Sequence, residues 1–232
     1  MSVCLTFDTD WASEPVLEHT LSILERYGVK ATIFATNESR ALSTFSSKQI
    51  ELAIHPKFEK LSSEPIENLL ENFPEAKGYR SHALVDSPSI RDSAHELGLT
   101  YDSNLYVPEN VEPFEDFSGL IRVPFCWSDY GSIAANQGFD HNWELPEKKM
   151  FCIAFHPIHI FLNSESMDRY ESVRGVTDHS LLEGLRNRSD IPGAEDALIA
   201  LLESKSDKND FIFVAELANK TVKPSVVLPH DL

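Results

Sequence analysis

The sequence is short of positive charge and cysteine, and it contains no long hydrophobic run. Twenty Lys and Arg stand against thirty-seven Asp and Glu in 232 residues, a net charge of −17 at pH 7. Such an acidic chain repels phosphate backbones and anionic lipid surfaces, so nucleic acid and membrane surfaces are poor partners. No apolar run approaches the roughly 20 residues that a membrane-spanning helix needs, and we expect no membrane span.

The three cysteines, Cys4, Cys126 and Cys152, are an odd number without the spacing of a disulfide framework. Each lies in an apolar stretch, where a free thiol behaves as a small hydrophobic side chain. The N-terminal sequence MSVCLTFDTD lacks the basic and apolar regions of a secretory signal peptide. Together these features predict a cytoplasmic location.

Nucleotide-binding glycine motifs are absent, since neither GxGxxG nor GxxxxGK[ST] follows the first apolar run. What is present is an alternation of strand-like and helix-like segments. The predicted strands are Val3–Phe7, Lys30–Ala35, Glu51–His55, Lys77–His82, Leu99–Asp102, Leu120–Phe125, Phe151–Phe155 and Phe211–Val214. The predicted helices are Pro15–Tyr27, one beginning near Ser46–Lys48, Ser63–Phe73, Ser87–Leu97 and Ala194–Ser204, with long loops over 126–150 and 157–190.

This alternation predicts one α/β domain over residues 1–232, with a parallel sheet closed or nearly closed into a barrel. An open doubly wound sheet is the competing arrangement. In a parallel barrel, the residues that follow the strands share one rim, where active sites are built. Asp8 and Asp10 follow the first predicted strand, and His55 ends the third. Arg80 and His82 end the fourth predicted strand, and His156 follows the apolar strand Phe151–Phe155.

Two carboxylates on one face repel each other unless positive charge lies between them. Arg80 and a divalent metal ion would both supply that charge. Asp and His are ligands suited to Zn²⁺ or a similar ion, and three protein ligands leave a position open for water. Taken singly, each residue also has a structural interpretation, such as helix capping for the aspartates or core packing for a lone histidine. Asp102 and Asp129 are interpreted as turn acids.

Five motifs, in this order, resemble the polysaccharide deacetylase family, the NodB-homology group of metal-dependent carbohydrate deacetylases. They are TFDTD (6–10), AIHP (53–56), GYRSH (78–82), LGLTYDSN (97–104) and AFHPIH (154–159). The phrases FDTDW and FHPIHIFLN are most similar to a branch found in bacterial surface-polysaccharide gene clusters. The resemblance implies a single-domain distorted (β/α)7 barrel that removes an N-acyl group, such as acetyl, from a sugar.

The resemblance also implies roles for individual residues. Asp8 matches the general base, Arg80 the residue that pairs with it, and His156 the general acid. Asp10 and His55 match metal ligands. We further expect the substrate to be contacted by Trp11, Trp127 and His159.

Two departures from the family pattern concern the metal. The usual H-x-x-x-H motif has Glu59 in place of its second histidine, and the usual R-x-P motif ends in His82. The third ligand is therefore His82 or Glu59, or no metal binds. The expected substrate is an acylated sugar, and nucleotide-linked and lipid-linked forms are included. The alternatives are a metal-free hydrolase of a non-sugar C–N bond such as a ureide or cyclic amide, a silent sugar-binding protein, and an assembly partner in polysaccharide synthesis.

Overall fold

The computed structural model of the protein describes residues 2–45, 48–109, 111–140, 143, 150–205 and 207–221. Within them, nine strands form one sheet. The strands are β1 (Ser2–Asp8), β2 (Ala31–Ala35), β3 (Ile50–Ile54), β4 (Gly78–Tyr79), β5 (Tyr101–Asp102), β6 (Phe114–Glu115), β7 (Ile121–Arg122), β8 (Trp127–Ser128) and β9 (Met150–Phe155). Their order across the sheet is β6-β7-β5-β4-β3-β2-β1-β9-β8.

Ten α-helices accompany these strands in the described residues. They are α1 (Glu14–Tyr27), α2 (Arg40–Thr44), α3 (Glu64–Asn72), α4 (Pro88–Glu96), α5 (Asp129–Ala134), α6 (Pro157–Leu162), α7 (Met167–Val173), α8 (His179–Gly184), α9 (Ala194–Ser204) and α10 (Val214–Lys220). The region 157–190, predicted as a loop with short helices, thus contains α6, α7 and α8.

One extended stretch of chain, 121–128, joins the two edges of the curled sheet. Its first part, β7, pairs with β5, and its last part, β8, pairs with β9. Between them, the backbone N–H of Phe125 donates to Leu105 and that of Cys126 donates to Cys152, both at 2.9 Å. Seven parallel positions therefore follow one another around the sheet: β1, β2, β3, β4, β5, this stretch and β9. The predicted α/β fold with a parallel (β/α)7-type sheet is confirmed.

The first helix shows how the sequence builds these layers. In α1 the buried residues Val16, Leu17, Leu21 and Leu24 recur at helical spacing and form its inner face. Gly28 ends the helix in the left-handed region at φ 64°, a conformation that costs glycine little. Helix α1 packs against α6 and α2, so the chain that follows β1 is fixed to the chain that follows β9.

The predicted strand Phe211–Val214 is wrong. Phe211 makes only an isolated parallel bridge to Val3, and α10 begins at Val214. The reason lies in contacts that the sequence does not reveal. Thr32 Oγ1 accepts the backbone N–H of Val214 at 3.0 Å, and a Glu51 carboxylate oxygen accepts that of Ala215 at 3.2 Å. These two acceptors start a helix where the apolar sequence FIFV alone favours a strand.

Two further predictions on local structure need correction. The predicted strand Lys77–His82 is paired only over Gly78–Tyr79, and His82 lies in a 3-10 turn that spans His82–Leu84. The helix predicted to begin near Ser46–Lys48 falls partly on residues 46–47, which lie outside the described residues. The helix described in this region is α2, whose first turn is capped by Ser39 Oγ at 3.3 Å from the backbone N of Leu42.

Glu51 is a partly buried carboxylate that ties three strands to α10. It accepts hydrogen bonds from Thr32 Oγ1 at 2.6 Å and from the Tyr101 hydroxyl at 2.8 Å, besides the bond from Ala215. Burial raises the pKa of Glu51 above its ordinary value, even though these hydrogen bonds oppose the shift. The folded protein therefore binds a proton at Glu51 more tightly than the unfolded chain does.

This shift predicts a pH dependence of stability. Because the folded-state pKa is raised, the contribution of Glu51 to the free energy of unfolding falls as pH rises from the ordinary glutamate pKa through the folded-state pKa. The free energy of unfolding of Glu51→Gln minus that of wild type, measured by urea titration, should therefore be more positive at pH 8 than at pH 5. Glu96→Gln, on an exposed position of α4, is the control. An equal difference from wild type at both pH values would contradict the assigned shift.

Candidate active site

A cavity of about 760 Å³ opens at the carboxyl ends of the strands. It is lined by the charged and titratable side chains that the sequence placed at this rim: Asp8, Asp10, His55, His82, His156 and His159. They lie at or just beyond the carboxyl ends of β1, β3, β4 and β9, which are far apart in sequence but lie within five consecutive strands of the sheet. The convergence predicted for a parallel barrel is therefore present in the fold.

Arg80 lies beneath this cavity, with none of its side chain exposed. Its Nη1 donates to Asp8 Oδ1 at 2.9 Å and to Thr6 Oγ1 at 2.9 Å, and its Nη2 donates to Ser103 Oγ at 2.8 Å. The guanidinium carbon also lies 4.4 Å from the ring centre of Phe34, so the cation is shielded on an aromatic face. A permanent cation fixed in this way holds one oxygen of Asp8 and leaves the other facing the cavity.

Asp10 occupies an unusual backbone position just beyond β1. Its φ of 42° lies in the left-handed region, which aspartate tolerates better than most residues. Thr36, just beyond β2, stabilises the turn because its hydroxyl donates to the Asp10 carbonyl at 2.8 Å. The turn brings the Asp10 carboxylate to two imidazoles. Asp10 Oδ1 lies 3.2 Å from His55 Nε2 and 2.8 Å from His82 Nδ1.

These three side chains form a candidate metal site. One ligand atom from each of Asp10, His55 and His82 lies within 4.8 Å of the others. The backbones of the two histidines are also joined, because the His82 N–H donates to the carbonyl of Pro56 at 2.9 Å. Glu59, the competing third ligand, is exposed and lies outside this group. One carboxylate and two imidazoles are a donor set that fits Zn²⁺ and similar ions.

The protonation of this group is shaped by its own contacts. Burial alone would raise the pKa of Asp10, but hydrogen bonds from His55 and His82 outweigh it and hold the pKa well below its ordinary value. The hydrogen bond to Asp10 raises the pKa of His82. The Asp10 carboxylate is therefore ionised at neutral pH, as a metal ligand must be.

His156 follows β9 and is held by an acid that sequence reasoning assigned to a turn. Asp129 is fully buried at the start of α5. Its Oδ1 lies 2.6 Å from His156 Nδ1, and its Oδ2 accepts the backbone N–H of His156 at 2.7 Å. The other ring nitrogen, Nε2, faces the carboxylates of Asp8 and Asp10, at 3.9 Å from Asp8 Oδ2 and 3.7 Å from Asp10 Oδ2.

Asp129 thus orients the His156 ring and favours its cationic form. Burial would lower the pKa of His156, but the charge and hydrogen bond of Asp129 raise it to about 9. The interpretation of Asp129 as a turn acid overlooked this contact. The available signal was the position of Asp129 after a short apolar run, the same strand-end placement that marked the other site residues.

His159 lies one turn beyond His156, buried between the rings of His156 and Tyr170 at centroid distances of 5.5 and 4.8 Å. Burial lowers its pKa to about 4, so the ring is neutral at pH 7. Its Nδ1 lies 3.2 Å from Ser164 Oγ. A neutral imidazole that lines the cavity can donate or accept a hydrogen bond to a substrate without competing as an acid.

The two tryptophans expected to contact substrate lie outside the cavity lining. Trp11 is half-buried and packs against the apolar cluster around α6. Trp127 packs against Trp143 and Phe155, with ring centres 5.1 and 5.0 Å away, and neither tryptophan lines the cavity. The tyrosine side chains that line it are Tyr106, Tyr130 and Tyr170. Sequence reasoning missed them because they belong to segments interpreted as loops.

A family model described as "WbmS-like: Polysaccharide deacetylase" matches residues 5–174. This chain belongs to that family of carbohydrate deacetylases, hydrolases that act on carbon–nitrogen bonds other than peptide bonds. No curated protein matches the sequence.

Solved structures agree with the family assignment. A proposed polysaccharide deacetylase involved in O-antigen biosynthesis from Bordetella bronchiseptica is similar to this chain, with 33% identity and a TM-score of 0.82 over 87% of this chain and 90% of that one. A proposed polysaccharide deacetylase from Mycobacterium smegmatis shares the fold, with 16% identity and a TM-score of 0.59 over 98% and 94%. Within the described residues, no helix is both long and apolar enough to cross a membrane.

Proposed function

We propose that this protein is a metal-dependent hydrolase that removes an N-acyl group, such as acetyl, from a sugar in surface-polysaccharide or O-antigen biosynthesis. The observation that carries the proposal is the grouping of Asp10, His55 and His82 between two ion pairs, Asp8–Arg80 on one side and His156–Asp129 on the other. The similarity to the Bordetella protein supports the biosynthetic context.

Asp10, His55 and His82 would hold the metal, and Zn²⁺ suits this donor set. A bound divalent ion supplies Lewis acidity toward an acyl carbonyl and lowers the pKa of a bound water. Asp8 accepts the proton of the attacking water at Oδ2, because Arg80 occupies its Oδ1. The Arg80 cation keeps this carboxylate oriented.

His156 completes the reaction from a position beside Asp8 and Asp10. Its Nε2 carries the proton that the leaving sugar amine needs, since Asp129 holds the Nδ1 edge of the ring and favours the cation. An amine is a poor leaving group until it is protonated. The base and the acid are therefore separate residues, and each has its own partner of opposite charge.

The rest of the cavity would bind the sugar. Tyr106 and Tyr130 expose 42% and 46% of their surfaces, and sugar rings pack well against exposed aromatic faces. His159 would supply a neutral hydrogen-bonding group beside them. A cavity of about 760 Å³ has room for more than one sugar ring or for a sugar with part of a nucleotide or lipid carrier.

Metal content and acyl release test this proposal together. Wild-type protein loaded with Zn²⁺ after chelator treatment should contain about one ion per chain and release acyl groups from N-acyl amino sugars or their nucleotide conjugates. His55→Ala and His82→Ala should both lose the ion and lower acyl release by about 10²-fold or more, because each removes one of three protein ligands.

Glu59→Ala is the matched control, since Glu59 is exposed and outside the ligand group. It should keep the metal and the activity of wild type. Loss of metal in Glu59→Ala but not in His82→Ala would identify Glu59, and not His82, as the third ligand. Zinc-free wild-type protein that hydrolyses C–N bonds at the full rate would refute metal dependence.

A further inference from the structure

We propose that Asp86 is a positioning residue for His82, and that the ion pairs which hold Asp86 set the metal affinity of the site. The inference rests on the proposed function, because it concerns how one of the proposed ligands is held. Asp86 lies outside the cavity lining, four residues after His82 in the chain.

His82 differs from the other histidine of the metal group in how its ring is fixed. The side chain of His55 is 3% exposed and is held by packing, whereas that of His82 is 45% exposed. Few neighbouring atoms therefore restrain the His82 ring. The direction of its Nδ1 toward Asp10 depends on the backbone turn that carries it.

That turn is strained. Ala83 and Leu84, the two residues after His82, both have left-handed backbones, with φ of 57° and 55°. Neither is glycine, and neither has the short polar side chain that eases this conformation in aspartate. Consecutive residues of this kind persist only when their surroundings fix the chain on both sides.

The chain before the strained turn is fixed by neighbouring loops. The backbone N–H of Ser81 donates to Asn104 Oδ1 at 2.7 Å, and that of His82 donates to the Pro56 carbonyl at 2.9 Å. The Ser81 hydroxyl also reaches across the turn to the Val85 carbonyl at 2.6 Å. These bonds fix where the turn begins.

The chain after the turn is fixed by charge. Arg91 Nη1, from α4, lies 2.7 Å from both carboxylate oxygens of Asp86, and Arg122 Nη2, from β7, donates to Asp86 Oδ2 at 3.0 Å. Both arginine side chains are only 8% exposed. Asp102 lies 3.1 Å from Arg122 Nε and Asp116 lies 2.6 Å from Arg91 Nε, so each arginine is anchored from behind.

Two arginines anchored in this way fix the position of Asp86 at the end of the turn. Without the Asp86 contacts, Ala83 and Leu84 can relax toward the right-handed region, and the exposed His82 ring then loses its direction toward Asp10. Residues that orient a metal ligand from behind change metal affinity by roughly 10–100-fold when they are replaced.

The test compares Asp86→Asn with Asp116→Asn in the full chain. Both remove one carboxylate charge from Arg91, but only Asp86 belongs to the segment that carries His82. Affinity for Zn²⁺ is measured by competition with a chromophoric chelator, and the visible spectrum of the Co²⁺-loaded protein reports the ligand arrangement. Urea unfolding of both metal-free variants measures the loss of stability separately.

We expect Asp86→Asn to weaken Zn²⁺ binding by about ten-fold or more and to change the Co²⁺ spectrum. Asp116→Asn should lose stability but keep the wild-type affinity and spectrum. Arg122→Lys keeps a cation beside Asp102 and gives up the bond to Asp86, and it should weaken Zn²⁺ binding in the same direction. This variant also serves if Asp86→Asn does not fold.

Two failures are distinguishable. Wild-type protein that binds neither Zn²⁺ nor Co²⁺ would refute the proposed function itself. Wild-type protein that binds metal, together with Asp86→Asn and Arg122→Lys proteins of unchanged affinity and spectrum, would overturn the role of Asp86 and leave the proposed function standing. Equal weakening of Zn²⁺ binding by Asp86→Asn and Asp116→Asn would show that binding follows overall stability. This result would also overturn the role of Asp86.

Discussion

Replacing Asp8 with asparagine should lower kcat by about 10²–10⁴-fold, the range by which a positioned general base accelerates a reaction. Asn keeps the shape of the side chain and an oxygen for the Arg80 hydrogen bond, but it cannot take a proton from water. Loss of the buried charge opposite Arg80 should also cost about 3 kcal/mol of the free energy of unfolding. Acyl release at saturating substrate measures the first effect and urea unfolding the second.

Asp10→Asn is the informative comparison, because Asp8 and Asp10 are two residues apart and have different proposed roles. Asp8→Asn should retain the metal of wild-type protein, whereas Asp10→Asn should lose both metal and activity. Asp8→Asn protein that keeps wild-type turnover would eliminate Asp8 as the base. If Asp8→Asn lost the metal instead, Asp8 would be reassigned as a ligand.

Replacing His156 with alanine should lower kcat for an N-acyl sugar by about 10²–10⁴-fold and affect an activated ester far less. An amine leaves only with a proton, which we propose that His156 Nε2 supplies, whereas the phenolate of a 4-nitrophenyl ester leaves without one. The ratio of the two rates isolates the acid step from binding and from metal chemistry. The measurement is kcat on both substrates for wild type and variant.

His159→Gln is the matched control for that ratio. His159 is neutral and lies beside His156 in the same cavity, so its loss should raise KM and leave the ratio of amide to ester turnover near that of wild type. Equal losses of amide and ester hydrolysis in His156→Ala would argue that His156 positions the substrate and is not the acid.

The residues at the strand ends could be predicted from sequence because the rule behind them is simple. Parallel strands align their carboxyl ends, so polar residues that follow buried apolar runs meet at one rim. Asp8, His55 and His156 all obey this rule, and so does Asp10, two residues beyond Asp8. The apolar runs themselves are long enough in β1 and β9 to be recognised without ambiguity.

The predictions failed where distant contacts override local preference. The sequence FIFV favours a strand, yet Val214 begins a helix because Thr32 and Glu51 offer hydrogen-bond acceptors from strands about 160–180 residues earlier. The two tryptophans expected to contact substrate lie outside the cavity lining for a related reason. Trp127 lies in an extended stretch that closes the sheet, and its ring is directed into the core beside Phe155.

The order of the strands has a consequence for how the protein is made. β1 lies between β2 and β9, so its second neighbour begins at Met150, long after Asp8 has left the ribosome. At about 5–20 residues per second, a nascent chain waits roughly 7–30 s for that neighbour. Throughout this interval one edge of a nearly fully buried, apolar strand has no partner, which is the condition that invites pairing with another chain. We therefore expect the yield of native protein in cells to depend on translation speed and on chaperones that cover the β1 edge until β9 is synthesised.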